Sequence, residues 1–290
     1  MRKVAMSRAR CNRGPYAVRS TQYALRTTRH PPPFGKGSVA LSIYERYAEI
    51  YDRSGQIGFS LRAIPYLQEI LARHSFEGHT MLDLACGTGT IALAFAQQGW
   101  RVYGVDASAA MLAQARAKAA ESDVPLLLSQ QDMRSFILPE PVDLVTCLFD
   151  SLNYLLAVED LQMTFARVAA HLRPGGLFIC DMNTIWALRE IWDHNTYFQD
   201  SEDLSIIMQS EYSDEAHIVA VKVVAFVRRD GLYERIEETH VERGYPERSV
   251  SAAMERAGLT VLESYEAFTL DPPNSRSPRL LWVATRPGEG

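Results

Sequence analysis

The sequence predicts a three-layer α/β/α fold: a seven-stranded, mostly parallel sheet with an antiparallel last strand, plus a small antiparallel β insertion. Three features point to it. Met81 to Gln98 reads as a short apolar strand, a Gly-x-Gly turn and a helix. Short apolar runs then alternate with helical patterns as far as Cys180, which is how a parallel sheet with crossover helices is written. From Trp186 the pattern changes to alternation of period two, before one more helix and a final hairpin.

At 290 residues and 47% hydrophobic, the chain is long enough for one large core with an inserted subdomain. A formal charge of −5 gives no electrostatic case for nucleic acid. No apolar run is long enough to span a membrane. Cys11, Cys86, Cys147 and Cys180 show no metal spacing, and three of them fall in or beside expected core strands. Reduced thiols in a cytoplasm are therefore expected, with no metal.

The chain divides into four expected parts. Residues 1–38 are basic and free of Asp and Glu, and include His30-Pro31-Pro32-Pro33, so disorder is expected there. The segment reads as translated upstream sequence with a true start near Val39, as a solvated tail, as a basic arm for nucleic acid, or as a transit peptide. Residues 39–185 form the main sheet, 186–243 the insertion, and 244–290 a helix and hairpin that complete the sheet.

In order, Ser42 to Arg53 is expected as a helix bearing Tyr44, Tyr47, Ala48 and Tyr51 at helical spacing. Phe59 to His74 is a second helix, apolar at Leu61, Ile64, Leu67, Ile70 and Leu71. Thr90 to Gln98 follows the glycine turn, and Gly99 stops it. Arg101 to Asp106 is the second strand, and Ser108 caps a helix over 109–120. Strands are expected at Pro125 to Leu128, Val142 to Phe149 and Leu177 to Cys180. A helix over 159–172 ends before Pro174-Gly175-Gly176. Ile206 to Ser213, His217 to Val227 and Tyr233 to Val241 read as antiparallel strands, with a hairpin turn at Arg229-Asp230-Gly231. A helix from Tyr245 to Ala257 precedes the hairpin Leu259 to Phe268 and Leu280 to Thr285.

Glycines let a backbone turn tightly and approach a ligand, and a helix N-terminus presents free N–H groups. Gly87, Gly89 and Ala92 also fit the dinucleotide fingerprint. Asp83 argues otherwise. An acid in the middle of a buried strand needs a partner, and a ligand ammonium would serve. Dinucleotides carry no such group there; the amino-acid end of S-adenosylmethionine does. Asp106, about twenty residues on, suits ribose hydroxyls in either cofactor.

Leu82-Asp83-Leu84-Ala85-Cys86-Gly87-Thr88-Gly89 resembles the first motif of the class I S-adenosylmethionine-dependent methyltransferases. Val105-Asp106-Ala107-Ser108, Gln131-Asp132-Met133 and Arg173-Pro174-Gly175-Gly176-Leu177 resemble three further motifs in order. The resemblance covers roughly Tyr44 to Asn183. It implies S-adenosylmethionine as cofactor, S-adenosylhomocysteine as product, and a cofactor set of Tyr51, Asp83, Ala85, Cys86, Gly87, Thr88, Gly89, Asp106, Ala107, Met111, Asp132, Met133 and Phe149. The Tyr44–Asp52 segment resembles a lid helix, and the insertion resembles an acceptor-binding sheet.

Tyr44, Asp150, Asn153, Tyr154, Asn183 and Trp192 are the candidate acceptor residues. Asp150, Tyr154, His194 and His240 are the candidate bases, none of them specific. Trp186, Trp192, His194, Tyr197 and Phe198 precede the expected insertion strands and suit either the acceptor pocket or the insertion's own core. The expected reaction is in-line methyl transfer to N or O of a small molecule, by a monomer or homodimer. Phe149-Asp150-Ser151-Leu152 stands where base-methylating enzymes carry an Asn/Asp-Pro-Pro-aromatic signature, which disfavours nucleic acid. RNA or protein methylation and an NAD oxidoreductase stay as alternatives.

Overall fold

The structure is a computed structural model and describes residues 43–288. The expected disordered segment, residues 1–38, lies outside the described residues. Strands β1 (Thr80–Leu84), β2 (Arg101–Asp106), β3 (Leu127–Gln130), β4 (Val142–Cys147) and β5 (Leu172–Asn183) join β10 (Thr260–Glu266) and β11 (Arg279–Thr285) in one sheet. Its order is β10-β11-β5-β4-β1-β2-β3, and only β11 runs against the others.

Alternation along each strand sends side chains to two cores. Leu82, Leu84, Phe165 and Met254 share one, beneath α4 (Val158–His171) and α6 (Glu247–Arg256). Met81, Leu67, Ile70 and Phe95 share the other, beneath α1 (Ile57–Arg73) and α2 (Thr90–Gln97). Helix α3 (Ala109–Glu121) is capped by Ser108, whose hydroxyl accepts from the Met111 N–H. The chain leaves β1 for β2 on one side and β4 adjoins β1 on the other. That topological switch point is where ligands of open α/β sheets collect.

After β5, a short helix α5 (Ile185–Ala187) runs into a π turn at Leu188–Trp192. A second sheet follows, in order β6-β7-β8-β9: Thr196–Asp200, Leu204–Ser213, Ile218–Arg229 and Leu232–Arg243. Its inner face packs Ile206, Val221 and Ile236 against Tyr47, Ile50 and Leu188. Asp230 and Gly231 take positive φ of 50° and 81°, as a tight hairpin requires.

Four expectations are corrected. Residues 43–56 are not a helix but a strap of turns around one 3-10 turn at Tyr47–Glu49. Tyr44 sits at φ 62°, and the N–H groups of Tyr44, Arg46 and Tyr47 donate to Glu238 of the small sheet. Tertiary hydrogen bonds thus displace the helical ladder. Strand β6 is absent from the expected elements, because an exposed edge strand buries no face and leaves no alternation. β3 starts at Leu127, not Pro125, which has no N–H for the ladder. Leu61 is 56% exposed; the buried stripe of α1 runs through Ala63, Tyr66, Leu67, Ile70 and Leu71.

Candidate active site

A cavity of about 440 Å³ opens over the carboxyl ends of β1, β2 and β4, within the range of small-molecule sites. The strap roofs it with Tyr44 and Tyr51. Of the expected cofactor set, Tyr51, Asp83, Ala85, Cys86, Gly87, Thr88, Asp106, Ala107, Met111, Asp132, Met133 and Phe149 all line it. Gly89 does not. It takes φ 74° where α2 begins, and a Cβ there would lie 2.9 Å from Ala115 of α3. Its smallness lets the two helices approach. Gly87, at φ 53°, has no described residue within 4 Å of the Cβ it lacks, so that side is open towards the cavity.

Two carboxylates define the deep end. Asp83 is 3% exposed and accepts from Thr146 Oγ1 at 2.9 Å. Burial pushes its carboxyl up to about 7. Asp106 accepts from the Gly87 N–H through Oδ2 and the Ser108 N–H through Oδ1, both at 2.8 Å, so it also sets the glycine turn. Burial raises its carboxyl as well, against those hydrogen bonds. At the rim, Arg134 forks onto Asp132 and reaches Asp160 at 3.3 Å. The guanidinium holds Asp132 below the usual carboxylate range.

A clamp that the sequence did not announce ties the strap to the turn. Lys118 Nζ donates to Asp52 Oδ2 at 2.7 Å and to the Thr88 and Thr90 hydroxyls at 2.9 Å. Thr88 in turn donates to Asp52 Oδ1 at 2.8 Å. Neither Asp52 nor Lys118 stands out in a helical pattern, so only the folded chain reveals the pair.

The other end is aromatic. Phe149 stacks on Phe59 at 4.2 Å, and Tyr44, Tyr51 and Tyr154 converge beside it. Burial raises all three phenols well above their ordinary value, so none is an anion near neutrality. Tyr44 Oη lies 2.7 Å from Tyr154 Oη, and Tyr154 Oη lies 3.0 Å from His240 Nδ1. Burial opposes ionisation of Glu238, but His240 and the N–H groups of Tyr47, Tyr44 and Arg46 outweigh it and hold the carboxyl low.

Asp150, Asn153 and Asn183 stand behind this wall rather than in it. Asn153 is fully buried and donates to the Asn183 and Arg243 carbonyls while accepting from the Asn183 N–H. Asn183 Nδ2 donates to Asp150 and Glu242. Arg279 donates to Asp181 at 3.0 Å and lies 3.5 Å from Asp150. Burial and the nearby Asp150 push the Glu242 carboxyl well up. This network holds Phe149 and Asp150 at φ 58° and 52°, two successive non-glycine residues in the left-handed region. Such geometry costs about 1–3 kcal/mol per residue and persists where surroundings enforce it.

Trp192 packs against the small sheet's core, and His194 is exposed, so the structure brings neither to the cavity. The period-two run Ile236, Glu238, His240, Glu242 is the readable signal for the polar groups that do face inward. Among the described residues, no cluster of His, Cys, Asp and Glu could hold a metal.

Comparisons with known proteins agree with this geometry. A family described as a methyltransferase domain matches residues 81–176. The Bacillus subtilis (strain 168) protein named "Putative methyltransferase YqeM" is 32% identical over 84% of this chain and 97% of its own length. A dTDP-3-amino-3,6-dideoxy-alpha-D-glucopyranose N,N-dimethyltransferase of Streptomyces fradiae is 30% identical over 77% of this chain and 81% of its own. The crystal structure of an S-adenosylmethionine-dependent methyltransferase from Clostridium acetobutylicum ATCC 824 superposes with a TM-score of 0.76 at 26% identity. It covers 84% of this chain and 98% of that one. Identity at this level over most of both chains reflects common descent, and the chain belongs to the class I S-adenosylmethionine-dependent methyltransferases.

Proposed function

We propose that this methyltransferase acts on the nitrogen of a small-molecule amine. One observation carries the reading: the acceptor end is walled by Phe149, Tyr44, Tyr51 and Tyr154, and Arg134, the only cation among the described residues that line the cavity, is already held by Asp132 and Asp160. Aromatic faces suit an ammonium. An anionic acceptor would find no free countercharge. The amino-sugar dimethyltransferase from Streptomyces fradiae supports nitrogen as the target. The oxidoreductase alternative falls with the cofactor. No helix among the described residues is long and apolar enough to cross a membrane. The buried free thiols Cys86, Cys147 and Cys180 favour a cytoplasmic setting.

The residues fit the cofactor. A buried carboxylate with spare acceptor capacity (Asp83) suits its ammonium, Asp106 its ribose hydroxyls, and Met111, Asp132 and Met133 its adenine. When bound, S-adenosylmethionine supplies an electrophilic methyl group on sulfur. The protein's part is to align the acceptor and exclude water, worth on the order of 7–11 kcal/mol. The test is a panel of primary amines, free amino sugars and matching alcohols, followed by release of S-adenosylhomocysteine and the mass of the acceptor. Amines are expected to gain the methyl group. Labelling of RNA or protein instead, with amines untouched, would overturn the assignment.

The strap clamp gives a second expected result. Lys118→Met should speed S-adenosylhomocysteine dissociation about tenfold, from loss of roughly 1.4 kcal/mol in a partly exposed charged network. Stopped-flow release reads it, and an unchanged rate would show that the strap does not gate the cavity.

A further inference from the structure

Removal of the acceptor's proton is the step that the cavity lining alone does not provide for. An aliphatic amine is protonated near neutrality and has no free lone pair until a proton leaves. Of the described residues that line the aromatic end, only the phenols are titratable, and burial keeps them protonated. One of them leads out of the cavity. Tyr154 is among the residues that line the site, and its Oη lies 3.0 Å from Nδ1 of His240, which is 5% exposed. The other ring nitrogen, Nε2, lies 3.5 Å from Glu238 Oε2 and has no hydrogen-bond partner among the described residues.

We infer that Tyr154 and His240 form the route by which the acceptor's proton leaves the methylation site. The inference rests on the amine reading above. In this route the acceptor ammonium gives a proton to Tyr154 Oη as Tyr154 gives its own to His240 Nδ1. Tyr154 ends neutral and His240 becomes an imidazolium beside the Glu238 carboxylate. The freed nitrogen pair forms the N–C bond, and the departing thioether keeps the pair of the broken S–C bond. Tyr154 touches the acceptor and is the catalytic residue; His240 acts through it and is a positioning residue.

The surroundings suit an incoming proton. Tyr44 and Tyr47 of the strap face the His240 ring, with centroids at 4.8 and 6.3 Å. Tyr154 faces it from the 3-10 turn at Ser151–Tyr154. Glu238 and the buried Glu242 flank it at two residues on either side along β9, and β8 opposes it with Val221. No cation is among these groups, so an imidazolium would meet the Glu238 carboxylate, neutral phenols and the Glu242 carboxyl, which burial pushes up. Tyr44 Oη, 2.7 Å from Tyr154 Oη, can donate to it and keep the Tyr154 proton directed at His240.

The route requires one tautomer: Nδ1 bare and Nε2 protonated. Nitrogen-15 NMR of the full chain with S-adenosylhomocysteine bound reads it directly. The His240→Gln spectrum identifies this ring among the seven histidines. A bare Nδ1 whose resonance moves in Tyr154→Phe is expected. A protonated Nδ1, or a resonance indifferent to Tyr154→Phe, overturns the route without any activity assay.

With an amine acceptor, Tyr154→Phe and His240→Gln should each lower kcat about 10²-fold or more near neutrality. The deficit should close as pH rises and the acceptor arrives already deprotonated. An equal loss at every pH would mark a structural role and overturn the route. Methylation of a hydroxyl rather than an amine would defeat the acceptor assignment and leave the tautomer result standing, so the two failures separate.

Discussion

Asp106→Ala is expected to weaken S-adenosylhomocysteine binding at least about 10²-fold in calorimetry. Hydrogen bonds to a charged group contribute about 1.5–3 kcal/mol each, and two ribose hydroxyls would lose theirs together. The carboxylate also shapes the backbone, since its two oxygens accept from the Gly87 and Ser108 N–H groups. Removing it leaves both donors without their partner, so the glycine turn loosens as the ligand contact vanishes. A fall of about 1–3 kcal/mol in stability should accompany the lost affinity. The far-ultraviolet circular dichroism should stay that of the folded chain, since β2 and α3 keep their cores. Unchanged affinity in a folded Asp106→Ala protein would remove Asp106 from the cofactor site.

The parts of the site that are legible in the sequence are those written locally. Asp83, the glycine turn and Asp106 lie within 24 residues and on consecutive elements, so strand period, turn chemistry and spacing place them together. Twelve of the thirteen expected cofactor residues line the cavity, and the exception, Gly89, is explained by helix approach. The acceptor side is less legible because it is assembled across the chain. Tyr44 meets Tyr154 over 110 positions, and its N–H meets Glu238 over 194. The period of β9 turns Glu238 inward, but no period names its partner across such a separation.

Expected positions fail there in opposite ways. Trp192 and His194 open the insertion in sequence but do not lie beside the cavity in space. Asp150 follows β4 and Asn183 ends β5, yet their polar groups turn inward to Arg279 and Glu242. There they hold the left-handed backbone that presents Phe149. The strap shows the same effect on secondary structure. Its tyrosines recur at helical spacing, but Glu238 takes the N–H groups a helix would need.

Asp83 should make both stability and cofactor affinity depend on pH, in opposite senses. Its carboxyl stands at about 7 in the fold, through burial, against about 3.9 in an unfolded chain. Below pH ~3.9 it is protonated in both states and contributes nothing. Between those values the unfolded chain releases the proton while the fold keeps it, so stability falls as pH rises. Above pH ~7 both are ionised and the loss levels at roughly 4 kcal/mol. A ligand ammonium offsets that loss by favouring the ionised form. Binding therefore releases a proton below pH ~7, and affinity for S-adenosylhomocysteine should climb by up to about tenfold per pH unit towards that value. Asp83→Asn keeps an acceptor for Thr146 but removes the charge. At pH 8 without ligand it should melt above the wild type, while binding S-adenosylhomocysteine more weakly and with a flatter pH dependence. Thermal unfolding and calorimetry at pH 5.5, 6.5 and 8 would read both effects. If Asp83→Asn retained the wild-type slope of affinity with pH, the buried carboxylate would not be the group that receives the ammonium.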